Sequence, residues 1–125
     1  MTLTIDTAGE GLSMILKDYQ ETALQYIWDQ NGEGSSSREV WQAVNERLGA
    51  SKSISRASII NFLNSMVDEG VLSFTETTGK GGHRRIYYAH LDEDEFKKYV
   101  AETVLNNLLR DWPEETKEVI SKIKS

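Results

Sequence analysis

The side chains best suited to chemistry in this sequence are cations grouped on one glycine-rich run. This run carries Lys80, His83, Arg84 and Arg85. Cations on an exposed turn can bind phosphate oxygens, and neighbouring glycines let backbone N–H groups approach the same anion. We expect all four side chains to contact a nucleic-acid backbone. A charge cluster on a turn can equally be ordinary solvated surface.

A second group of candidate side chains lies upstream, in a segment with helical periodicity. If Ile59, Leu63 and Met66 point into the core, a rotation of about 100° per residue defines an opposite, exposed side. That side carries Arg56, Ala57, Ile60, Asn61 and Asn64. Asparagine can bond adenine, arginine can bond guanine, and apolar side chains can touch a thymine methyl group. We therefore expect these five residues to contact bases, although the asparagines alone would also suit a solvated helix face.

Four further polar residues stand where the chain is expected to enter or leave a helix. These are Ser36, Ser37, Lys52 and Ser55. Helix N-termini and nearby cations commonly hold the phosphate backbone, so we expect these residues to contact it. The serines would look the same if they were helix caps and nothing more.

Signals for catalysis or metal binding are weak. The chain has no cysteine, which removes thiol nucleophiles and thiolate ligands. Its two histidines, His83 and His90, are seven residues apart, and an odd separation on a strand points to opposite faces. The run 79–82 lacks the spacing of a phosphate-binding P-loop and precedes a strand. We expect no enzyme, no cofactor and no metal ion.

Three helices are predicted before the glycine-rich run. The first opens at Asp18, where Glu21 completes a capping box, and the second opens at Ser36 or Ser37. Ser55 caps the third. Their apolar stripes predict the core residues Tyr19, Ala23, Leu24, Ile27, Trp28, Val40, Trp41, Val44, Leu48, Ile59, Leu63, Met66 and Val67, with Phe62 at the margin.

The apolar period then changes from 3.6 to 2, which predicts a β-hairpin. Residues 77–82 are expected to form a long flexible turn. The predicted inward positions are Leu72, Phe74, Ile86 and Tyr88. Tyr87 is out of phase with them and is expected to be half exposed. Because an isolated hairpin is marginally stable in water, its apolar face must pack on the helices.

A long helix beginning at Asp92 and a short one after Pro113 complete the chain. The long helix has an apolar stripe wider than one core-facing side, and such a surplus indicates contact with another subunit. The expected dimer residues are Phe96, Val100, Val104, Leu105, Leu108, Leu109 and Trp112.

Charge is distributed unevenly along these 125 residues. The net charge is −6, but residues 51–90 carry five Lys and Arg against three Asp and Glu. Binding to DNA depends on the field at the contacting face more than on total charge, so an acidic chain with a basic middle remains compatible with it. The sequence lacks an apolar run long enough to span a membrane and a signal-peptide pattern, so we expect a cytoplasmic protein without membrane contact.

Helix, helix, turn, helix and a hairpin with a basic tip is the order of a winged helix-turn-helix, an α+β, mainly helical fold. The spacing of Ser58-Ile59, Leu63, Met66, Gly70 and Leu72 resembles the recognition-helix signature of bacterial and archaeal winged-helix repressors. The run Gly79-Lys80-Gly81-Gly82-His83-Arg84-Arg85-Ile86-Tyr87-Tyr88 resembles their wing, the basic hairpin beside that helix.

Residues 18–125 as a whole most resemble the penicillinase-repressor family of BlaI, MecI and CopY relatives. The resemblance rests on Ile27-Trp28-Asp29 at the end of the first helix and on two helices directly after the wing. MarR-like and PadR-like regulators share the first part. The copper-responsive members carry a cysteine cluster that this chain lacks, and nothing identifies the cleavage site of the β-lactam-linked members. The inducing signal therefore stays unassigned.

This resemblance implies a transcriptional repressor that binds double-stranded DNA at a pseudo-palindromic operator as a homodimer. The expected organisation is an N-terminal arm over 1–17, a DNA-binding domain over 18–90 and a dimerisation region over 91–125. The negative net charge favours one alternative, a winged helix used for protein contact in a larger assembly.

Overall fold

The computed structural model describes residues 3–49, 52–79 and 82–124, and the chain divides into two units between Asp92 and Glu93. The first unit contains a short 3-10 helix (Gly11–Met14), α1 (Asp18–Asp29), β1 (Ser35–Ser36), α2 (Ser37–Leu48), α3 (Arg56–Asp68), β2 (Leu72–Gly79) and β3 (Gly82–Ala89). The second contains α4 (Glu93–Asp111) and α5 (Pro113–Lys124). Three helices followed by a β-hairpin make the first unit a winged helix-turn-helix, as predicted.

Local capping interactions begin α2 and α3 where the sequence predicts. Ser36 Oγ accepts the backbone N–H of Glu39, and Glu39 Oε1 accepts the backbone N–H of Ser36 at 3.0 Å. These two bonds form the predicted capping box. Ser55 Oγ accepts the N–H of Ser58 at 3.1 Å, which confirms Ser55 as the cap of α3.

The start of α1 differs from the prediction. The capping residue is Lys17, and its backbone N–H donates to Gln20 Oε1 at 3.0 Å. Gln20 therefore takes the role predicted for Glu21. Asp18 lies one position inside the helix, and its carboxylate binds Lys52 instead of a backbone N–H.

The core of the first unit lies where α1, α2 and α3 meet the sheet. Its buried helical residues are Ala23, Leu24, Ile27, Val40, Val44, Ile59, Phe62, Leu63 and Met66. Phe62, predicted at the margin, is 3% exposed. Trp28 and Trp41, predicted in the core, are half-buried, and each indole N–H donates to a backbone carbonyl, at Leu91 and Ile54 respectively. A tryptophan at the core edge satisfies its polar N–H in this way.

The hairpin is longer and its turn shorter than predicted. The three strands lie in the order β1-β3-β2, and Gly79 pairs with Gly82 at the end of the ladder. Thr77 and Thr78 are therefore strand residues instead of part of a flexible turn. These two residues extend the strand because β-branched threonine favours the extended backbone. Lys80 lies between the paired glycines and outside the described residues.

The pairing of β2 with β3 corrects the predicted inward face of β3. Phe74 pairs with Tyr87, so the two side chains share one face of the sheet. Tyr87 is 2% exposed, whereas Ile86 and Tyr88 are half-buried on the opposite face. The predicted phase was wrong because β3 carries apolar side chains on both faces, so the alternation of Ile86 and Tyr88 did not identify the inward face.

The second face of β3 packs against the chain that leads into β1. A Cβ at Gly34 would collide with Ile86 Cγ2 and with the ring of Tyr88. Only a glycine leaves room for this approach, so β3 is covered on both faces at its base.

Residues 3–17 form a closed loop before α1. The Asp6 N–H donates to the Met14 carbonyl at 2.7 Å, and Asp6 Oδ1 accepts the N–H of Ala8. Leu16, at the end of the loop, is buried. Leu16 is thus the buried side chain of residues 3–17, and the rest of the segment is exposed or half-buried.

In the second unit, Pro113 ends one helix and begins the next, as predicted. Thr116 is buried and its hydroxyl donates to the Leu108 carbonyl, which joins α5 to the end of α4. Large apolar side chains remain exposed at Leu105, Trp112, Val119 and Ile123. Across the described ranges, no helix combines the length and apolar character needed to cross a membrane.

Replacing Gly34 by alanine should lower the free energy of unfolding by about 1–3 kcal/mol, because the added methyl group overpacks against Ile86 and Tyr88. Chemical denaturation followed by circular dichroism measures this loss. Gly79→Ala is the matched control, since a Cβ there meets no atom within 4 Å. Equal stability of the two variants would contradict the packing described for β3.

Candidate nucleic-acid interface

The turn before α3 is held by two side chains of α2. Asn45 Oδ1 accepts the backbone N–H of Ile54 at 2.7 Å, and Asn45 Nδ2 donates to the carbonyl of the same residue. The indole of Trp41 donates to that carbonyl as well, at 2.8 Å. Ile54 directly precedes the cap of α3, so these bonds fix where the helix begins. Asn45 was not among the predicted site residues, because the only signal for it in the sequence is its place near the end of α2.

The exposed face of α3 presents three of the five predicted base-contacting residues. Arg56, Ala57 and Asn61 are exposed, and Ile60 is half-buried beside them. Within the described parts of the chain, no carboxylate lies within ion-pair distance of Arg56. The side of α3 opposite the core therefore presents the amide of Asn61 and the guanidinium of Arg56 to solvent.

Asn64, the fifth predicted base-contacting residue, is engaged inside the protein. Its Oδ1 accepts the hydroxyl of Tyr87 at 2.6 Å and the Arg85 Nη1–H at 3.0 Å. A paired contact to adenine needs both a free amide oxygen and a free amide N–H. With its oxygen already occupied by two donors, Asn64 does not have the predicted adenine-binding geometry.

Arg85 is likewise engaged, although the sequence analysis placed it on the DNA backbone. Besides donating to Asn64, its guanidinium carbon lies 4.0 Å from the centre of the Phe74 ring. Burial raises the pKa of the Tyr87 hydroxyl, and the adjacent Arg85 partly opposes that rise. The tyrosine therefore remains a hydrogen-bond donor at neutral pH.

Of the remaining predicted wing contacts, His83 and Arg84 are exposed. His83 and Arg84 pair across the ladder with Thr78 and Thr77, and alternation along β3 puts Arg84 on the face opposite Arg85. Among the described residues, Arg84 has no carboxylate within ion-pair distance. Lys80, the third predicted cation, lies outside them.

Three of the predicted contacts to the DNA backbone are serines at helix starts, and two of their hydroxyls make hydrogen bonds within the protein. Ser36 is 6% exposed and its hydroxyl accepts the Glu39 N–H as the cap of α2, so little of this side chain is available for the predicted phosphate contact. Ser55 Oγ accepts from the Ser58 N–H and donates to the Ser58 hydroxyl at 2.9 Å. Ser37 is half-buried.

Lys52, the predicted cation of the turn, is paired with a carboxylate. Its Nζ lies 2.8 Å from Asp18 Oδ2, and both side chains are well exposed. Hydrogen bonding and charge attraction lower the pKa of Asp18 and raise that of Lys52. Such a surface pair is weak and screened by salt, so a phosphate can compete for the ammonium group.

The predicted dimer residues differ in how much surface they offer. Phe96 is fully buried in the single chain and has no surface left for a partner. Val100, Val104, Leu108 and Leu109 are half-buried, whereas Leu105 and Trp112 are exposed, Trp112 by 61%. Two exposed apolar residues of α5, Val119 and Ile123, were not in the predicted set.

Comparison with models of known protein families gives a match that covers most of the chain. A family model described as penicillinase repressor matches residues 16–123. No individually curated protein matches the chain by sequence.

Two solved structures illustrate the likeness of fold. Bacillus subtilis PadR, whose structure is a complex with operator DNA, is 22% identical over 70% of this chain, with a TM-score of 0.48. This chain spans 46% of that protein. A PadR-like transcriptional regulator from Bacillus cereus is 17% identical, with 85% of this chain and 91% of that one covered and a TM-score of 0.45.

Replacing Asp18 by asparagine should release Lys52 and strengthen binding to duplex DNA by about two- to fivefold at low salt. Fluorescence anisotropy with a labelled duplex measures the change. Asp29→Asn is the matched control, because it removes the same charge from a carboxylate that pairs with Arg47 instead. Equal gains in both variants would mean that only net charge matters and that Lys52 has no particular place at the interface.

Proposed function

The chain belongs to the penicillinase repressor family and is a DNA-binding transcriptional repressor, and we propose that it binds a pseudo-palindromic operator as a homodimer. In this proposal α3 enters the major groove of each half-site and the hairpin follows the backbone. A two-fold dimer then requires half-sites about 10 base pairs, or a multiple of that, apart.

The observation that carries this proposal is the exposed face of α3. Its far side is buried against α1 and α2, and its near side presents Arg56, Ala57 and Asn61 to solvent. No carboxylate of residues 3–49, 52–79 or 82–124 pairs with this face. Helix-turn-helix proteins contact bases with residues near the start of the second helix of the motif, which is α3 in this chain. Arg56, Ala57 and Asn61 lie in the first two turns of α3. Asn61 suits adenine, Arg56 suits guanine, and Ala57 or Ile60 suits a thymine methyl group.

Contacts to the phosphate backbone come from both sides of α3 in this proposal. Lys52 lies in the turn that precedes the helix, and His83 and Arg84 lie on the exposed part of the hairpin. Lys80, which follows Gly79 in the sequence and lies outside the described residues, is proposed to join them. These contacts position the protein without selecting a sequence. Ser37 and Ser55 are proposed to add backbone N–H donors at the starts of α2 and α3.

The proposed dimer contact is the apolar surface of α4 and α5. Leu105, Trp112, Val119 and Ile123 are exposed, and Ile123 is exposed by 79%. Large apolar side chains grouped on two adjoining helices are typical of a surface that a second protein covers. A second copy of the chain supplies the two-fold symmetry that a pseudo-palindromic site requires.

Asn61→Ala should weaken binding to the selected operator by roughly 1–3 kcal/mol, which is about 5- to 150-fold, and should change binding to random DNA little. The operator is first obtained by selecting bound sites from random duplexes, and both affinities are then measured by anisotropy. Asn106→Ala, an exposed asparagine of α4, is the matched control. Equal losses on both DNAs would show that Asn61 does not read bases.

The wild-type chain should sediment as a dimer at micromolar concentration, and Trp112→Glu should raise the dimer dissociation constant about tenfold or more, because a charge would be buried in an apolar contact. Sedimentation velocity measures both. Ile5→Glu puts the same charge on another exposed apolar side chain, in the first unit, and should leave the dimer intact. A monomeric wild-type protein would contradict the proposed interface.

A further inference from the structure

We propose that Asn64, Phe74, Arg85 and Tyr87 form a latch that locks the hairpin to α3, and that Asn64 and Arg85 act in DNA binding as positioning residues. This inference rests on the proposed function for its consequence at DNA. The latch itself is a property of the free protein, and it can be tested without DNA.

The centre of the latch is one amide oxygen shared by two donors. Tyr87 and Arg85 are two residues apart on β3, so their side chains leave the same face of the sheet. Both reach Asn64 Oδ1 on α3, at 2.6 Å and 3.0 Å. A single acceptor on the helix therefore fixes two successive inward positions of the strand.

Arg85 joins the latch in preference to an ion pair. Glu76 is its direct partner across the ladder, yet the guanidinium donates to the neutral amide of Asn64 and covers the Phe74 ring at 4.0 Å. Within the described ranges Arg85 makes no ion pair. Arg85 remains exposed, but the ring and the amide together hold its guanidinium beside the hairpin and against α3.

The position of the latch along the hairpin gives it its effect. Below it, β3 pairs on both sides, with β1 at Tyr87 and Ile86 and with β2 throughout. Beyond it, residues 76–79 and 82–84 are exposed and held by their own ladder alone. A two-stranded ribbon is marginally stable and can swing, so the last anchor determines where its outer end lies relative to α3.

A fixed outer end matters because the helix and the hairpin must meet one duplex together. When α3 and the hairpin are held in the correct relative position before binding, less conformational entropy is lost on association. Loss of the latch should therefore weaken binding to the operator although no contact with DNA has been removed.

The first test separates positioning from phosphate contact by salt dependence. Arg85→Ala should weaken operator binding by roughly tenfold and leave the slope of log affinity against log salt unchanged, because no phosphate contact is lost. Arg84→Ala is the matched control, on the same strand and the opposite face, and its slope should fall by about one unit. A slope that falls by about one unit in Arg85→Ala as well would overturn the inference.

The second test uses the double variant. If Asn64 and Arg85 act through one hydrogen bond, Asn64→Ala combined with Arg85→Ala should bind the operator no more weakly than the weaker single variant. Losses that multiply would mean that each residue contacts DNA independently, and would also overturn the inference.

The third test needs no DNA. The chain has no cysteine, so Ala57→Cys with Thr78→Cys accepts two spin labels cleanly, one on α3 and one on the outer hairpin. Electron-spin distance measurement should give a narrow distribution, and addition of Tyr87→Phe or Asn64→Ala should broaden it. Tyr87→Phe keeps the buried ring and removes the hydroxyl alone, which protects the fold.

An equally narrow distribution in both variants would overturn the latch. Failure of the wild-type chain to bind duplex DNA at low salt would instead contradict the proposed function, and the distance measurement would still decide on the latch.

Discussion

The binding face depends on how firmly α3 is held, because a helix that reads bases must keep a fixed position relative to everything else that contacts the duplex. Three sets of interactions hold it. Asn45 and Trp41 fix the turn through Ile54, the apolar side of α3 packs into the core, and Asn64 receives Tyr87 and Arg85 from the hairpin. These contacts leave one side of α3 exposed to solvent, while its other sides contact the core and the hairpin.

An acidic chain can bind DNA if the cations at the contacting surface are not paired with carboxylates of the protein. Arg56 and Arg84 meet that condition within the described residues. Lys52 meets it only after it exchanges Asp18 for a phosphate, and both partners of that pair are exposed. Arg85 carries a charge near the same surface, but its guanidinium donates a hydrogen bond to Asn64 within the protein. Cations close together in sequence thus have different roles, and the contacts of each decide which.

The sequence predicted those features that depend on neighbours a few residues apart. The caps Ser36 and Ser55 bond within three residues, and the apolar stripe of α3 repeats every turn, so both are visible in a linear pattern. The winged-helix order and the exposure of Arg56, Ala57 and Asn61 follow from them.

The features that the sequence did not predict depend on pairs far apart in the chain. Asn64 contacts residues 21 and 23 positions away, and Lys52 contacts a carboxylate 34 positions away. The phase of β3 was reversed because apolar side chains lie on both of its faces, and only the pairing of Phe74 with Tyr87 shows which face is inward. A linear pattern shows which side chains can form a bond, but it does not show which partner the fold brings near.

Nuclear magnetic resonance of the labelled protein titrated with a selected operator duplex tests most directly the claim that α3 and the hairpin bind one duplex together. The account predicts that the largest shifts fall on residues 56–61 and 83–84 and appear at the same DNA concentration, with the carboxyl end of α1 unaffected. Shifts on α3 without any on the hairpin, or shifts centred on α1, would contradict it.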